Sequence, residues 1–308
     1  MQTKNERCQI RNFRISDWKD YLKLHLTAVA EGKEECLGIS PKQLQVQWEY
    51  DGHSVGKNLF FLGKNKEMIG CLFIVPERGI GRVILYCFVH PSYRRKKIGD
   101  SLFARGFKHA RTLGLGKVHV NVYKDNSAGI AFLDHLGFRC VRKYLEMEKR
   151  LIEAGEQVAD LPAGFHFSCL RDGEEKRLAQ LQNHSFRGSW GFNPNTADEV
   201  KLWLRSRGGS AGDIILAFFG EKPVGYCWTL IDIKKGTGKI HMIGVKPKYR
   251  EKDLGKALLT KGLSYLAKEG MHIAILTVDS DNEPAKNLYH SFGFKVIKTS
   301  LWYEKKID

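Results

Sequence analysis

Between Gly244 and Gly255 the chain reads GVKPKYREKDLG, with Lys256 next. The apolar run KIHMIGV leads into this segment, and KALLTKGLSYLAKEG, amphipathic and closed by glycine, leads out of it. The pattern predicts a strand, a short basic loop, and a helix that begins at the loop. First-turn N–H groups of a helix have no intrahelical acceptor and the helix dipole favours negative charge there, so such a loop is an anion site. Arg250, Lys252 and Lys256 would surround a phosphate, and Gly255 would let the backbone approach it closely. The plain alternative is an ordinary strand–turn–helix connection.

The segment has a partner. At Phe88–Gly99 the chain reads FVHPSYRRKKIG, matching at Val89/Val245, Pro91/Pro247, Tyr93/Tyr249, Arg94/Arg250, Lys96/Lys252 and Gly99/Gly255. Beyond the segment, a shift of 156 lays Asn126 on Asn282, Gly137 on Gly293 and Phe138 on Phe294. Before it the shift is 155, with Gly70 on Gly225, so one inserted residue separates the repeats. A constant offset of this size indicates duplicated domains and not a solenoid.

Each half carries the same elements in the same order. A β-rich start is followed by a helix-cap pattern, at Ser16-Asp17 and at Asp172 with Glu175. A helical region, apolar strands, the basic segment, an amphipathic helix, a strand, a second helix from Asn126 or Asn282, and a final strand complete the unit. The expected organisation is a mixed α/β domain twice: 1–150, a linker at 151–163 around Gly155 and Pro162, and 164–308.

The length of 308 residues suits two domains, and no apolar run approaches the ~20 residues of a membrane span. The seven cysteines are scattered without a CxxC pair, which reads as buried free thiols in a reducing cytoplasm. The net charge of +16 is uneven: residues 1–150 hold 27 Lys+Arg against 15 Asp+Glu, and residues 151–308 hold 23 against 19. A polyphosphate pocket explains this better than a nucleic-acid face, because no nucleic-acid motif accompanies the charge. The same field disfavours strongly cationic substrates.

The motif V-x-P-x-[YF]-R-x-x-G-x-G, followed by N-x-x-A-x-x-[LF]-Y-x-x-x-G-F, resembles the signature of the GNAT acetyltransferase superfamily, over most of both halves. The resemblance implies a mixed, twisted sheet with flanking helices, opened at a bulged strand where acetyl-CoA inserts as co-substrate. It implies that the loop Arg250, Glu251, Lys252, Asp253, Leu254, Gly255 and Lys256 cradles the pyrophosphate. The backbone of Ile243, Gly244 and Val245 would pair with the pantetheine arm, and Asn282 and Lys286 would sit beside it. In the first half Val89, Arg94, Arg95, Lys96, Lys97, Ile98, Gly99 and Asn126 hold the matching places. Both copies depart from the motif at one glycine, replaced by Lys97 and Asp253.

The resemblance also implies roles. A tyrosine seven residues after the motif asparagine serves as general acid toward the leaving thiolate; this is Tyr289 in the second half and Leu133 in the first. A Glu or His on the strand before the loop serves as base; the second half has Lys239 and His241, the first Val83 and Leu85. The expected enzyme is a cytoplasmic N-acetyltransferase with a catalytic second half, without metal or membrane. Its acceptor would be a small-molecule amine or a protein amine, held by Phe186, Arg187, Trp190 and Phe192. The alternative is a non-enzymatic acyl-CoA-binding protein whose basic first half docks on an acidic partner.

Overall fold

A computed structural model of the chain describes residues 9–64, 67–151, 161–207, 210–250 and 252–307. In chain order the first repeat forms β1 (Gln9–Asn12), α1 (Trp18–Ala30), α2 (Pro41–Asn58), β2 (Leu59–Lys64), β3 (Glu67–Glu77), β4 (Arg82–Val89), α3 (Ile98–Thr112), β5 (Lys117–Tyr123), α4 (Ser127–His135) and β6 (Arg139–Arg150). The second forms β7 (Phe165–Cys169), α5 (Glu175–Ser185), α6 (Ala197–Arg207), β8 (Ile214–Phe219), β9 (Lys222–Asp232), β10 (Thr237–Val245), α7 (Leu254–Lys268), β11 (Ile273–Asp279), α8 (Glu283–Ser291) and β12 (Lys295–Lys306). The mixed α/β architecture expected from the repeat is present in both. The capping box expected at Asp172 and Glu175 does not form: α5 starts at Glu175 behind Glu174, whose carboxylate accepts from Arg171 N at 3.1 Å.

The compact units do not coincide with the sequence repeats at their ends. Unit 1 comprises Met1–Val141 with Trp302–Asp308, and unit 2 comprises Arg142–Leu301. In unit 1 the strands run β1-β2-β3-β4-β5 and then the end of β12. That end is held by His119 Nε2 on Glu304 (2.9 Å), by Ile307 N donating to Gly116 O (2.8 Å), and by the Arg82 guanidinium 5.5 Å from the Trp302 ring. In unit 2 the order is β6-β11-β10-β9-β8-β7, with β6 antiparallel to β11 from Arg150↔Ile273 to Tyr144↔Asp279. Each unit is thus completed by a strand from the other repeat. The expected linker, 151–163, lies mostly outside the described residues.

Helix α7 explains the core of unit 2. Leu254, Leu258, Leu259, Leu263 and Leu266 recur at helical spacing and are buried with Ile240, Ala274, Leu276 and Phe294. Gly262 is required by contact, since a Cβ there would come within 2.6 Å of Cys227 Sγ. On the opposite face, Leu178, Ala179 and Leu181 of α5 pack with Tyr226 and Trp228 of β9 and Met242 of β10.

The inserted residue is a β-bulge. β3 and β4 pair without interruption from Gly70↔Val89 to Glu77↔Arg82. β9 and β10 pair over the equivalent stretch, Gly225↔Val245 to Asp232↔Thr237, but the register steps between Ile240 and Met242. His241 is therefore the extra residue and has no counterpart in β4. The sequence offset had set Leu85 against His241; the register sets it against Ile240 instead.

Lys97 (φ 57°) and Asp253 (φ 51°), the two departures from the motif glycine, both adopt the left-handed conformation at the start of their helices. That conformation costs a non-glycine residue about 1–2 kcal/mol, less for Asp. Lys97→Gly should accordingly raise stability to urea unfolding by about 1 kcal/mol, with a smaller gain for Asp253→Gly. A loss of stability in Lys97→Gly would contradict the strain.

Unit 1 also carries three histidines, His25, His109 and His119, whose pKa values are lowered mainly by burial; for His119 Arg82 lowers it further, while Glu304 and its hydrogen bond partly oppose. Above the ordinary histidine range, about 6.5, both folded and unfolded chains are neutral there. Below it the unfolded chain takes protons that the folded unit refuses, so stability falls as pH falls. Hydrogen exchange at pH 7.5 and 5.5 should show unit 1 losing protection in acid; equal or greater protection would contradict this.

Candidate active site

The site begins where two strands part. β10 pairs in parallel with β11 from Thr237↔Ile273 to Ile240↔Leu276, and the pairing ends at the bulge. Beyond it Met242–Val245 stay with β9, while Thr277–Asp279 stay with β6. A wedge opens between them, leaving one edge of β10 free to pair with an extended ligand. In unit 1 β4 and β5 part after Ile84↔His119, without a bulge.

Alternation assigns the side chains to faces. Cys227, Ile240, Ile243 and Val245 lie on the α7 face, whereas Tyr226, Trp228 and Met242 lie on the α5 face. The bulge turns His241 to the α5 face as well, its ring edge-on to Trp228 with centroids 5.1 Å apart. Tyr289 is buried on the α7 face with Leu254, Leu258 and Phe294. Burial, with Cys227 nearby, raises its hydroxyl well above the usual tyrosine range, so at neutral pH it is a proton donor and not a base. Burial pushes the Cys227 thiol up to about 12, which leaves it unreactive. The two candidate catalytic groups thus flank the sheet from opposite sides, with the wedge between β10 and β11.

The basic loop divides into clamps and free groups. Arg250 is a clamp: Nε donates to Val245 O (3.2 Å) and Nη2 to Ser185 O (2.7 Å), fixing the loop to the strand end and to α5. Asp253 makes no capping bond to α7, whose first bond is Ala257 N to Asp253 O. The first-turn N–H groups ahead of it have no acceptor among the described residues. A Cβ on Gly255 would meet only Leu288 Cδ2, at 3.9 Å. Lys252 and Lys256 are exposed, and Glu251 lies outside the described residues. Asn282 caps α8 by accepting from Ala285 N (3.3 Å); Lys286 Nζ is held by Ser280 O (2.9 Å) and Glu283 (2.6 Å). These two build the helix start.

Unit 1 repeats the scaffold without the bulge. Arg94 donates to Val89 O (3.1 Å) and pairs with Glu31; Lys96 Nζ donates to Ser92 O (3.0 Å). Arg95, like Lys97, has positive φ, and Asn126 caps α4 through Gly129 N. Following Ile98, Gly99 is covered by the Phe132 ring, which a Cβ would meet at 3.0 Å. Asp100 occupies the first turn where α7 has Lys256. The Tyr289 position is filled by buried Leu133.

The irregular segment after α5 spans the wedge. Phe186 and Phe192 stack at 5.4 Å, and Asn195 ties the segment back through Gln182 Oε1 (2.9 Å) and Asn183 Oδ1 (2.8 Å). Trp190, however, lies against β6, 6.2 Å from the Tyr144 ring and 5.9 Å from the Arg142 guanidinium. Arg142 in turn grips Asp279 (2.9 Å) and Asp281 (2.6 Å). With α5 on β9 and β10 and the order β6-β11-β10-β9, the segment must cross over the parted strands. Arg187 is exposed on this crossing segment. Sequence reasoning missed Arg142 and Tyr144, because nothing in a repeat alignment announces an exchanged strand. It also missed a set of buried polar atoms without partners among the described residues: Ser185 Oγ, Asn193 Oδ1, Tyr226 OH and Trp228 Nε1. Ser185, Phe186 and Tyr226 converge on Gly244, where a Cβ would lie 2.9–3.0 Å from each.

The Acetyltransferase (GNAT) family model matches residues 18–138 and 176–294. The chain is 29% identical over 226 residues to the mycothiol acetyltransferase of Streptomyces scabiei (strain 87.22), covering 71% of this chain and 70% of that one. It is 30% identical over 234 residues to the mycothiol acetyltransferase of Corynebacterium efficiens, covering 70% and 72%. Among solved structures, a tandem GNAT protein from the clavulanic acid biosynthesis pathway superposes with a TM-score of 0.74 at 14% identity, over 97% of this chain and 98% of that one. A GCN5-related N-acetyltransferase from Sphaerobacter thermophilus gives 0.71 at 21%, over 99% and 97%. No helix among the described residues is long and apolar enough to cross a membrane. With the motif in both repeats and a wedge beside a basic helix start, the chain belongs to the acetyltransferase (GNAT) family, as a tandem, acyl-CoA-dependent acetyltransferase resembling mycothiol acetyltransferase.

Proposed function

We propose that the protein transfers an acetyl group from acetyl-CoA to the primary amine of a small molecule, and that unit 2 performs the transfer. The observation that carries this reading is the bulge: of β4 and β10 only β10 has the extra residue, and it presents an imidazole on the α5 face, where the acceptor would lie, at the end of the β10–β11 pairing. The residues present fit acetyl-CoA. The free edge at Ile243–Val245 suits its extended arm, and the first turn of α7, with Gly255 open and Lys252 and Lys256 exposed, suits its pyrophosphate. The Asp253 carboxylate opposes the pyrophosphate charge, and the two lysines offset it. In unit 1 the Phe132 ring over Gly99 and the Asp100 carboxylate disfavour the same ligand. The mycothiol acetyltransferase relatives support a small-molecule acceptor.

Acetyl-CoA supplies a thioester whose carbon accepts the amine. His241 takes one proton from the substrate ammonium, which frees the nitrogen lone pair. The N–C bond forms as the C–S bond breaks, and Tyr289 gives its hydroxyl proton to the departing sulfur. The proton then shed by the acylated nitrogen restores the tyrosine, and the one on His241 leaves to solvent. Charge and atoms balance with one proton released per turnover.

Tyr289→Phe removes only a hydroxyl. In a CoA-release assay over a panel of small primary amines, turnover should fall by about 10²–10⁴ while acetyl-CoA affinity holds. Leu133→Ala should instead cost about 2–5 kcal/mol of stability without lowering the rate of the folded enzyme. Full turnover by Tyr289→Phe across the pH range would overturn the assignment.

A further inference from the structure

The exchanged strand brings a carboxylate to the acceptor face. Leu145 and Met147 of β6 belong to the α7 core with Leu276 and Val278, so alternation sends Tyr144, Glu146 and Glu148 to the α5 face. The register then orders these residues along the wedge. Glu148, Ile275 and Lys239 form one row across three strands, where β10 and β11 are still paired. Glu146 lies one step further, beside Thr277 and past the last pair Ile240↔Leu276, level with the bulge. Neighbouring strands lie about 4.8 Å apart, so the backbones of β10 and β6 are about 10 Å apart before the wedge widens the gap. That spacing suits a small group seated between Glu146 and His241.

The surroundings favour an ammonium group. Glu146 is half-buried, and no hydrogen bond or ion pair engages it among the described residues. Glu148 instead shares its row with the cation of Lys239, and Arg142 is already committed to Asp279 and Asp281. Against His241 lies Trp228, wholly buried, whose Nε1 has no partner among the described residues. The crossing segment reaches β6 beyond this space, where Trp190 lies against Tyr144 and Arg142. Resting on the reading of unit 2 as the amine acetyltransferase, we propose that Glu146 binds the acceptor's ammonium opposite His241. The carboxylate accepts charge-assisted hydrogen bonds from the ammonium, which leaves one N–H for the imidazole.

The test uses methylammonium chloride as probe on the whole chain, against sodium chloride at equal ionic strength, with NMR signals of Thr277 and His241 as readout. Wild type should show saturable shifts. Glu146→Gln should weaken the apparent affinity roughly five-fold or more, as expected for loss of a charged hydrogen bond. Glu148→Gln should leave it nearly unchanged, and Glu146→Asp should retain most of it if the fold tolerates Gln poorly. Absence of a saturable shift in wild type, or equal weakening by both glutamine variants, would overturn the proposal. Two further outcomes separate it from the reading it rests on. Probe binding at Glu146 with no amine of the panel acetylated keeps the site and removes the acetyl-transfer reading. Acetylation by Glu146→Gln at the wild-type KM for the amine keeps that reading and removes the site.

Discussion

A β-strand sends only alternate side chains to a given face, and one extra residue in β10 breaks that constraint where it matters. The strand must bury Ile240 and Ile243 under α7, Met242 under α5, and still present a titratable group beside the wedge. In a regular strand Ile240 and Ile243, three residues apart, would face opposite sides. The bulge resolves this, with His241 turned to the side of Trp228 while the residues before and after keep their core contacts. The free edge at Ile243–Val245, the clamp of Arg250 on Val245 O and the start of α7 all follow from where β10 goes next.

The two units show how duplicated scaffolds diverge by small physical changes. Both retain the strand–loop–helix connection, the arginine clamp and the asparagine cap. Unit 1 has filled the same space: Phe132 lies over Gly99, Leu133 replaces the phenol, and β4 runs without a bulge. Its basic surplus therefore does not identify it as the phosphate-binding half. The exchange of terminal strands adds a dependence between the repeats, since Arg142, Tyr144 and Glu146 of the first complete unit 2.

Much of this was legible in the sequence because it rests on local rules. Strand, loop and helix around Gly255 follow from periodicity, and the change of offset from 155 to 156 showed one extra residue between Gly225 and Val245. Lys97 and Asp253 stood out as departures from a motif glycine, and both adopt the left-handed conformation. The identity of the bulged residue was not legible, because an offset cannot say which residue of Gly225–Val245 is extra; only the hydrogen-bonded register with β9 does. Arg250 and Asn282 read as ligand groups from their motif positions; the carbonyl clamp and the helix cap that they form were not legible, since a motif records position and not partners. The carboxylate of Glu146 was invisible for the same reason as the strand exchange: it depends on pairing between residues more than 130 apart.

The central claim, that the second unit holds acetyl-CoA along the free edge of β10 and the start of α7, is tested most directly by hydrogen–deuterium exchange with and without acetyl-CoA. The expected result is new protection over 242–250 and 252–257, with 88–100 unchanged. Protection over 88–100 with none at 242–257 would contradict it.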